Sequence, residues 1–408
     1  MSVNEREIIL DCLLEINEKG RLSHTVLKEV LDKYDYLPPE SKAFIKRVTE
    51  GTVEKLLSID DTIDSYSKVK VVKQKPLIRT LLRMSTYQIL YMDKVPASAV
   101  CNEAVKLSKK RGFSGLSGFV NGVLRNISKN SRNIKTDKED VPQWIKEHLV
   151  SCYGKENATL ILEDVDRIHP VTVRIRSDKA DTSFMTPSGV LNDAYYLKER
   201  TSPANVPGFE DGNFIIQDIA SMFVAIEGKI KPGEDVIDVC AAPGGKAIHA
   251  FDMGANVTAC DISERKVSLI DENAKRCIRP SKDHTFVTRV LDATEFAPEY
   301  EKRFDVVLAD VPCSGLGVMG RKADIRHKTK KEDLETLPEY QRKIIDNTIR
   351  YLKDGGRYIY STCTMNPKEN EENARYIAQK YGRKIVFEKQ YLPGKDKCDG
   401  FYIAVLEV

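Results

Sequence analysis

Residues 236–246 read Val236-Ile237-Asp238-Val239-Cys240-Ala241-Ala242-Pro243-Gly244-Gly245-Lys246. The apolar, largely β-branched start predicts a short buried strand. The Pro-Gly-Gly turn then leads into a helical run that begins near Lys246. A glycine turn between a strand and a helix places backbone N–H groups and a helix N-terminus beside an open crevice, where open α/β sheets bind nucleotide-like ligands. This stretch therefore predicts a Rossmann-like α/β domain with a ligand site at the turn.

The glycine pattern and a later carboxylate narrow the kind of ligand. The glycines match neither G-x-G-x-x-G nor a P-loop, so neither phosphate-binding fingerprint applies. Asp261 ends the next apolar stretch, about twenty residues after Cys240, where an acidic residue meets ribose hydroxyls in doubly wound folds. A ligand with a ribose but no pyrophosphate fits this pattern, which favours S-adenosylmethionine over NAD. On this stretch alone, an ordinary strand–turn–helix corner is the alternative.

Strands and helices alternate from here to the end of the chain, after a short strand at 213–216. This alternation predicts a mostly parallel sheet with helices on both faces. The last two strands have no full helix between them, which predicts an antiparallel pair at the sheet edge. The predicted strands lie at 236–240, 256–260, 285–290, 304–309, 356–361, 384–388 and 401–407.

The first part of the chain has a different pattern. Apolar residues recur at helical spacing from residue 1 to about 130, with Pro76 and Pro96 where two helices should start. Residues 128–140 are polar and are the best candidate for a linker. Two helices near 142–153 and 156–164 and an alternating strand at 171–176 predict a small α+β subdomain. We therefore expect three domains, with bounds at 1–130, 141–205 and 206–408.

Composition excludes several classes of protein. The 408 residues are 31% charged and 41% hydrophobic, with a formal net charge of +3, as in a globular protein without a strongly basic surface overall. The nine cysteines are odd in number and include no C-x-x-C pair, which argues against a zinc site and against a disulfide framework. No signal peptide or membrane span is evident. We expect a cytoplasmic protein without a metal.

Two cysteines follow neighbouring strands of the predicted sheet. Asp310-Val311-Pro312-Cys313 comes directly after the strand at 304–309, and Cys363 follows the strand at 356–361. Both thiols and Asp310 should lie at the carboxyl edge of the sheet, where ligands bind. Two thiols there, without metal spacing, suggest nucleophilic chemistry. Taken singly, either cysteine is more often a small buried hydrophobic residue.

Residues 240–246, 310–315 and 361–364 resemble the motifs of the RNA 5-methylcytosine methyltransferases of the NOL1/NOP2/Sun family. Residues 95–105 and 119–127 resemble the helical RNA-binding fold of NusB. Together they imply methylation of C5 of a specific cytosine in 16S rRNA by a monomer that uses S-adenosylmethionine. The chain departs mildly from the family pattern at Val311, where alanine is usual, and at Ala323 and His327, which leave the contacts of that loop with RNA open.

The resemblance also implies a role for each site residue. Cys363 is the nucleophile that adds to C6 of the base, Asp310 contacts N3, and Cys313 acts in product release. The residues expected to hold S-adenosylmethionine are Cys240, Ala241, Ala242, Pro243, Gly244, Gly245, Lys246, Asp261, Asp292 and Asp310. Two of these residues have alternatives. Asp292 is also a common type of helix cap, and Lys246 either neutralises a carboxylate or only caps its loop.

RNA contact is expected from basic residues of the helical part, although each could instead be a solvated helix end. They are Lys68, Lys70, Lys73, Lys75, Lys109, Lys110 and Arg111. Two further functions stay open, a methyltransferase for tRNA or another rRNA site and an RNA-binding assembly or antitermination factor with an inactive methyltransferase fold. The presence of Asp310, Cys313 and Cys363 speaks against the second, because a protein that only binds RNA needs neither thiol.

Overall fold

The computed structural model describes residues 4–136, 140–167, 169–198, 201–279 and 282–407, so residues 137–139 of the predicted linker and a few positions in each predicted domain lie outside it. The chain forms two compact units. The first comprises Met1–Ile145 and Lys322–Lys328, and the second comprises Lys146–Arg321 and Thr329–Val408. None of the described helices combines the length and apolarity that crossing a bilayer requires.

The first unit is helical, as its apolar spacing predicts. Pro76 is the first residue of one helix and Pro96 directly precedes another, in agreement with the predicted starts. Leu13, Ile45 and Leu81 are fully buried in its core. The helices are α1 (Glu5–Asn17), α2 (Ser23–Lys33), α3 (Pro39–Glu54), α4 (Leu56–Tyr66), α5 (Pro76–Tyr91), α6 (Ala97–Lys110) and α7 (Ser117–Asn130).

The ends of the predicted linker are fixed parts of this unit. Residues 128–130 belong to α7. The Asp140 side chain is fully buried and accepts hydrogen bonds from the backbone N–H groups of Leu57 at 2.9 Å and Ser58 at 2.8 Å. Lys55, which precedes α4, makes no capping bond of its own, so Asp140 is the cap of α4. The linker prediction is therefore wrong at both ends, because polar composition does not reveal a cap distant in sequence.

The segment Lys322–Lys328 also completes the helical unit. The Asp324 carboxylate accepts from the Ser23 N–H at 3.0 Å, at the start of α2, where Leu22 offers no side-chain acceptor. Ala323 packs against the core, and the His327 side chain is only 9% exposed. Burial lowers the pKa of His327 to about 4, so the ring is neutral. These two departures from the family pattern thus lie in the packing of the helical unit.

A small antiparallel sheet belongs to the second unit, with strands β1 (Thr172–Ile175), β2 (Met185–Pro187), β3 (Ala194–Leu197) and β4 (Phe214–Ile216) in the order β2-β3-β1-β4. Strand β4 pairs with β1, although the predicted boundary at 205 assigns it to the following domain. Arg174 and Arg176 bind the Asp252 carboxylate at 2.7 and 2.5 Å. Both arginines are therefore engaged in ion pairs within the second unit.

The large sheet has the predicted topology. Strands β9, β8, β5, β6 and β7 are parallel, and β10 and β11 form the antiparallel edge. The order of the strands is β10-β11-β9-β8-β5-β6-β7. Strands β6 and β7 lie on one side of β5 and strand β8 lies on its other side, so the strand order reverses between β5 and β8. The strands are β5 (Asp235–Asp238), β6 (Asn256–Asp261), β7 (Phe286–Val290), β8 (Phe304–Asp310), β9 (Leu352–Thr362), β10 (Lys384–Tyr391) and β11 (Phe401–Glu407).

Helices accompany these strands. The segment Gln143–Val165 (α8) is interrupted at Gly154, which matches the two predicted helices on either side of it. The remaining longer helices are α9 (Ile219–Glu227), α10 (Gly245–Asp252), α11 (Glu264–Cys277), α12 (Asp333–Thr348) and α13 (Glu371–Tyr381), and a short helix spans Asp324–Lys328 of the first unit. Because the parallel strands share one direction, the residues that follow β5, β6, β8 and β9 meet at one edge of the sheet.

We predict that Asp140→Ala lowers the free energy of unfolding by about 1–3 kcal/mol, because two N–H groups at the start of α4, of which the one at Ser58 is buried, lose their acceptor. The measurement is the midpoint of urea unfolding of the full chain. Asp32→Ala, at an exposed carboxylate of α2, is the control and should change the midpoint little. Equal midpoints for the two variants would contradict the capping role.

Candidate active site

The turn after β5 forms one wall of the candidate site. Gly244 has φ +106°, in the left-handed region that favours glycine, and its N–H donates to the Ala241 carbonyl at 2.6 Å. Helix α10 begins at Gly245 without a side-chain cap. The Pro243 carbonyl is held from α11 by the Asn273 side chain at 2.9 Å. The turn is thus fixed by local bonds, and the first N–H groups of α10 are available to a ligand.

Asp261 lies at the end of β6 beside this turn. Its carboxylate accepts from the Ala242 N–H at 3.0 Å and from the Ile262 N–H at 2.8 Å, and it pairs with Lys266 at 3.0 Å. A carboxylate has about four acceptor positions, so one remains for a ligand hydroxyl. The structure brings Asp261 to the glycine turn, as predicted from the spacing.

Asp292 lies two residues beyond β7 and is engaged locally. One carboxylate oxygen accepts from the N–H of Thr294 at 2.9 Å and from its hydroxyl at 2.6 Å. This is the cap-like turn that the sequence left open as the plain alternative for this residue. The turn uses one oxygen, so it does not exclude a contact of the other oxygen with a ligand.

Asp238 is a residue of this site that sequence reasoning missed. Its side chain is 1% exposed at the end of β5, and one oxygen accepts from the Cys240 N–H at 3.3 Å. The other oxygen has no hydrogen-bond partner among the described residues. Burial raises the pKa of Asp238 to about 7, with Lys246 acting in the opposite direction. The available signal was an acidic residue inside an otherwise apolar strand, next to the glycine turn.

Lys246 links the glycine turn to the end of β8. Its Nζ lies 2.8 Å from an Asp310 carboxylate oxygen, and the other oxygen accepts from the Ser361 hydroxyl at 2.8 Å. Burial lowers the pKa of Lys246, but the attraction of Asp310 outweighs it and the net pKa is raised. Lys246 is therefore charged and neutralises a carboxylate, which was one of the two readings of its sequence position.

The two cysteines of the predicted site face each other. The Sγ atoms of Cys313 and Cys363 lie 3.4 Å apart, and both side chains are half-buried. The contact with Cys363, followed by burial, raises the pKa of Cys313 well above its ordinary value. Cys313 is therefore held as a thiol that can donate a proton toward Cys363. Cys12, by contrast, is buried in the core of the helical unit.

A buried carboxylate beneath the thiols is a second feature that the sequence did not reveal. Glu369 is fully buried and accepts from the backbone N–H of Ser314 at 2.9 Å and from its hydroxyl at 2.5 Å. Ser314 directly follows Cys313 in the chain. The only sequence signal was a run of polar residues, 366–373, close behind Cys363 in a part of the chain predicted to cover the sheet.

Comparison with known proteins assigns the chain to a family. The model of the 16S rRNA methyltransferase RsmB/F family matches residues 225–407, and the NusB family model matches residues 3–129. A probable ribosomal RNA small subunit methyltransferase B of Bacillus subtilis (strain 168) is 33% identical over 407 residues, which cover 92% of this chain and 88% of that protein. The chain belongs to the ribosomal RNA small subunit methyltransferase B family. The predicted family and NusB-like part are confirmed.

Other relatives agree with this assignment to the methyltransferase B family. The ribosomal RNA small subunit methyltransferase B of Shewanella oneidensis is 27% identical and covers 99% of both chains. Among solved structures, PH0851 covers 100% of both chains with a TM-score of 0.81 and 21% identity. NSun6 from Pyrococcus horikoshii, solved with SFG, covers 66% of this chain and 98% of its own, with a TM-score of 0.57 and 20% identity. At these identities the two structures show the fold alone.

The family assignment also settles the methyl donor. This chain is an S-adenosylmethionine-dependent RNA methyltransferase. The methyl donor is the one that the glycine turn and Asp261 predict, and the activity is the one that the family resemblance implies. The residues at the turn fit such a ligand. The unpartnered oxygen of Asp238 suits its ammonium group, and the first N–H groups of α10 suit its carboxylate.

We predict that Asp238→Asn stabilises the ligand-free chain relative to wild type, increasingly from pH 4 to pH 7. The pKa of Asp238 is about 7 in the folded chain and about 3.9 when unfolded. The unfolded state therefore loses this proton first, and wild-type stability falls as pH rises through that window. Melting temperatures should differ by at least ~2 °C more at pH 8 than at pH 5.

The exposed Asp211 supplies the control for this pH series, since its side chain is open to solvent. Asp211→Asn should show a melting temperature difference from wild type that does not change between pH 5 and pH 8. A pH-independent difference for Asp238→Asn as well would refute the raised pKa of that carboxyl.

Proposed function

We propose that this chain methylates C5 of a specific cytosine in 16S rRNA through a covalent bond between Cys363 and C6 of the base. The observation that carries the proposal is the pair of facing thiols, 3.4 Å apart, beside the Lys246–Asp310 pair at the ligand edge of the sheet. C5 of cytosine is a poor nucleophile until a thiolate adds to C6. A site that presents a thiol, a second thiol and a carboxyl together suits this reaction.

In the first step the Cys363 thiolate forms a bond to C6, and the electron pair of the C5–C6 double bond moves toward C5 and N3. As negative charge develops on the ring, Asp310 donates to N3 a proton that it takes from Lys246, and the proton returns to Lys246 when that charge is lost. Lys246 and Ser361 hold the two oxygens of Asp310, which orients the carboxyl before the base arrives. Bound S-adenosylmethionine supplies an electrophilic methyl group to C5.

In the release step the C5 proton leaves and the C5–C6 double bond reforms, while the C6–sulfur bond breaks with its electron pair on Cys363. Cys313 gives its thiol proton to the departing sulfur and takes the proton from C5, so atoms and charge balance. The high pKa of Cys313 favours this role, because it keeps the thiol protonated until the sulfur of Cys363 departs.

Cofactor binding is proposed for the residues around the glycine turn. The backbone of residues 240–246 and Asp238 would hold the amino-acid end. Asp261 would accept from the ribose hydroxyls, and the second oxygen of Asp292 would meet the adenine amino group. The full set is Cys240, Ala241, Ala242, Pro243, Gly244, Gly245, Lys246, Asp261, Asp292 and Asp310.

We also propose that the helical unit contributes RNA affinity. Lys68, Lys73 and Lys75 are exposed in the connection between α4 and α5. By contrast, Lys110 pairs with Glu7 at 2.6 Å and Arg111 pairs with Asp11 at 2.6 Å. A paired cation has less charge to offer a phosphate, so the connection is the stronger part of the predicted basic surface.

The test of the chemistry uses purified protein, tritiated S-adenosylmethionine and unmodified 16S rRNA. Wild type should incorporate methyl groups at C5 of one cytosine. Cys363→Ala should lower incorporation by roughly 10³-fold or more, because the nucleophile is lost. Cys313→Ala should accumulate a covalent RNA adduct, and Cys152→Ala, a half-buried thiol on α8, should behave as wild type.

Other outcomes of this experiment would contradict the proposal in separable ways. Incorporation into tRNA but not into 16S rRNA would keep the chemistry and overturn the substrate. Incorporation that survives in Cys363→Ala would overturn the nucleophile. RNA binding without incorporation into any RNA would support a binding factor with an inactive methyltransferase fold.

We predict that the triple variant Lys68→Glu, Lys73→Glu, Lys75→Glu binds 16S rRNA about 10-fold or more weakly, with a shallower dependence of affinity on salt. The control reverses three exposed lysines elsewhere in the helical unit, Lys33, Lys46 and Lys129, and so carries the same net charge. Filter binding over a salt series measures both. Equal losses would show a general charge effect and no RNA surface at the connection.

A further inference from the structure

The loop that carries Cys313 is held on both sides of that residue. On one side, the Pro312 carbonyl accepts from the Gln341 amide of α12 at 2.9 Å. On the other side, the N–H and the hydroxyl of Ser314 both donate to Glu369. The thiol between them is therefore fixed by contacts of its neighbours. None of these contacts involves the Cys313 side chain itself.

Glu369 is the centre of this arrangement. Both of its oxygens are used twice, since Gln341 also donates to it at 2.9 Å and the Asn366 amide donates at 3.0 Å, in addition to the two bonds from Ser314. The side chain is fully buried. Four donors around one buried carboxylate satisfy its acceptor capacity, so the arrangement admits little movement.

The same carboxylate joins the two catalytic loops. The Thr364 hydroxyl, one residue beyond Cys363, lies 2.6 Å from the Ser314 hydroxyl that donates to Glu369. Ser314 is thus bonded both to Glu369 and to the loop of the second thiol. Through Ser314, Glu369 is thus connected to both loops whose Sγ atoms lie 3.4 Å apart.

Cys363 has supports that do not pass through Glu369. It directly follows β9, which pairs with β8 and β11 on its two sides. Its carbonyl accepts from the Gly317 N–H at 3.0 Å. Thr362 and Thr364 on either side are bonded to Asn370, at 2.5 Å and 3.1 Å. Removing the Glu369 carboxylate should therefore loosen Cys313 more than Cys363.

We propose that Glu369 is a positioning residue that holds Cys313 against Cys363 for the release of the methylated product. This inference rests on the proposed cytosine chemistry and adds a residue to it. Because Glu369 is buried under the loop, it acts through Ser314 and does not touch the base. A displacement of the thiol by about 1 Å would slow release on the order of 100-fold, while attack by Cys363 would change little.

The test compares Glu369→Ala and Glu369→Gln with Cys313→Ala and wild type in the full chain. Incubation with 16S rRNA and S-adenosylmethionine is followed by denaturing electrophoresis, which retains a covalent protein–RNA adduct. Glu369→Ala should accumulate the adduct as Cys313→Ala does, with turnover reduced on the order of 100-fold. Glu369→Gln keeps an acceptor for the Ser314 N–H and should recover part of the turnover.

The exposed Glu372, in the first turn of α13, provides the matched control, and Glu372→Gln should turn over as wild type without trapped adduct. Melting temperature and S-adenosylmethionine binding identify a variant that has lost its fold. If Glu369→Ala fails to fold, Glu369→Gln carries the comparison, because a merely structural role would not trap an adduct in a folded variant.

Three results would overturn the inference. Glu369 variants that fold and turn over as wild type, while Cys313→Ala traps the adduct, would remove the positioning role and leave the proposed function intact. Folded Glu369 variants that neither turn over nor form an adduct would show that Glu369 serves the attack and not the release. Absence of methyl incorporation by wild type would instead remove the proposed function on which the inference rests.

Discussion

The ion pair between Lys246 and Asp310 connects the two halves of the site. Lys246 belongs to the first turn of α10, which follows the glycine turn. Asp310 is the last residue of β8, and the chain continues from there to Cys313. Ser361 on the neighbouring β9 donates a hydrogen bond to the Asp310 carboxylate and orients it. Without Lys246, Asp310 would be left beside the buried carboxyl of Asp238 with no cation to offset the repulsion. The contact between Lys246 and Asp310 thus fixes the glycine turn relative to the loops that carry the thiols.

Different interactions stabilise the two parts of this site: charged groups around the glycine turn and neutral hydrogen-bond donors around the loops of the thiols. Around the glycine turn, Asp238, Asp261 and Asp310 gather negative charge that Lys246 and Lys266 offset. Around the thiols, Glu369 is surrounded by neutral donors. The first arrangement suits a cationic ligand, and the second holds backbone in place. Both depend on parallel strands that end at one edge, because that topology brings distant segments of the chain together.

The features that could be predicted from the sequence are those with a local pattern. The alternation of strands and helices predicted the large sheet with its antiparallel edge, and the Pro-Gly-Gly turn predicted the site for S-adenosylmethionine. The features that could not be predicted are long-range pairings of polar groups. Asp140, Arg174 and Glu369 each look like ordinary surface residues in the sequence, and each is buried against a partner distant along the chain. Nothing in the local pattern distinguishes a solvated carboxylate from one that caps a distant helix or holds a loop.

The helical unit is discontinuous in sequence, with two of its helices capped by Asp140 and Asp324. During synthesis, the helices up to residue 130 leave the ribosome long before Asp324 does. The ribosome therefore synthesises most of the second unit before Asp324 can cap α2, although the core residues of the helical unit are synthesised early. A fragment ending at residue 130 would lack both caps, so the natural cut point for isolating this unit is not the end of its last long helix.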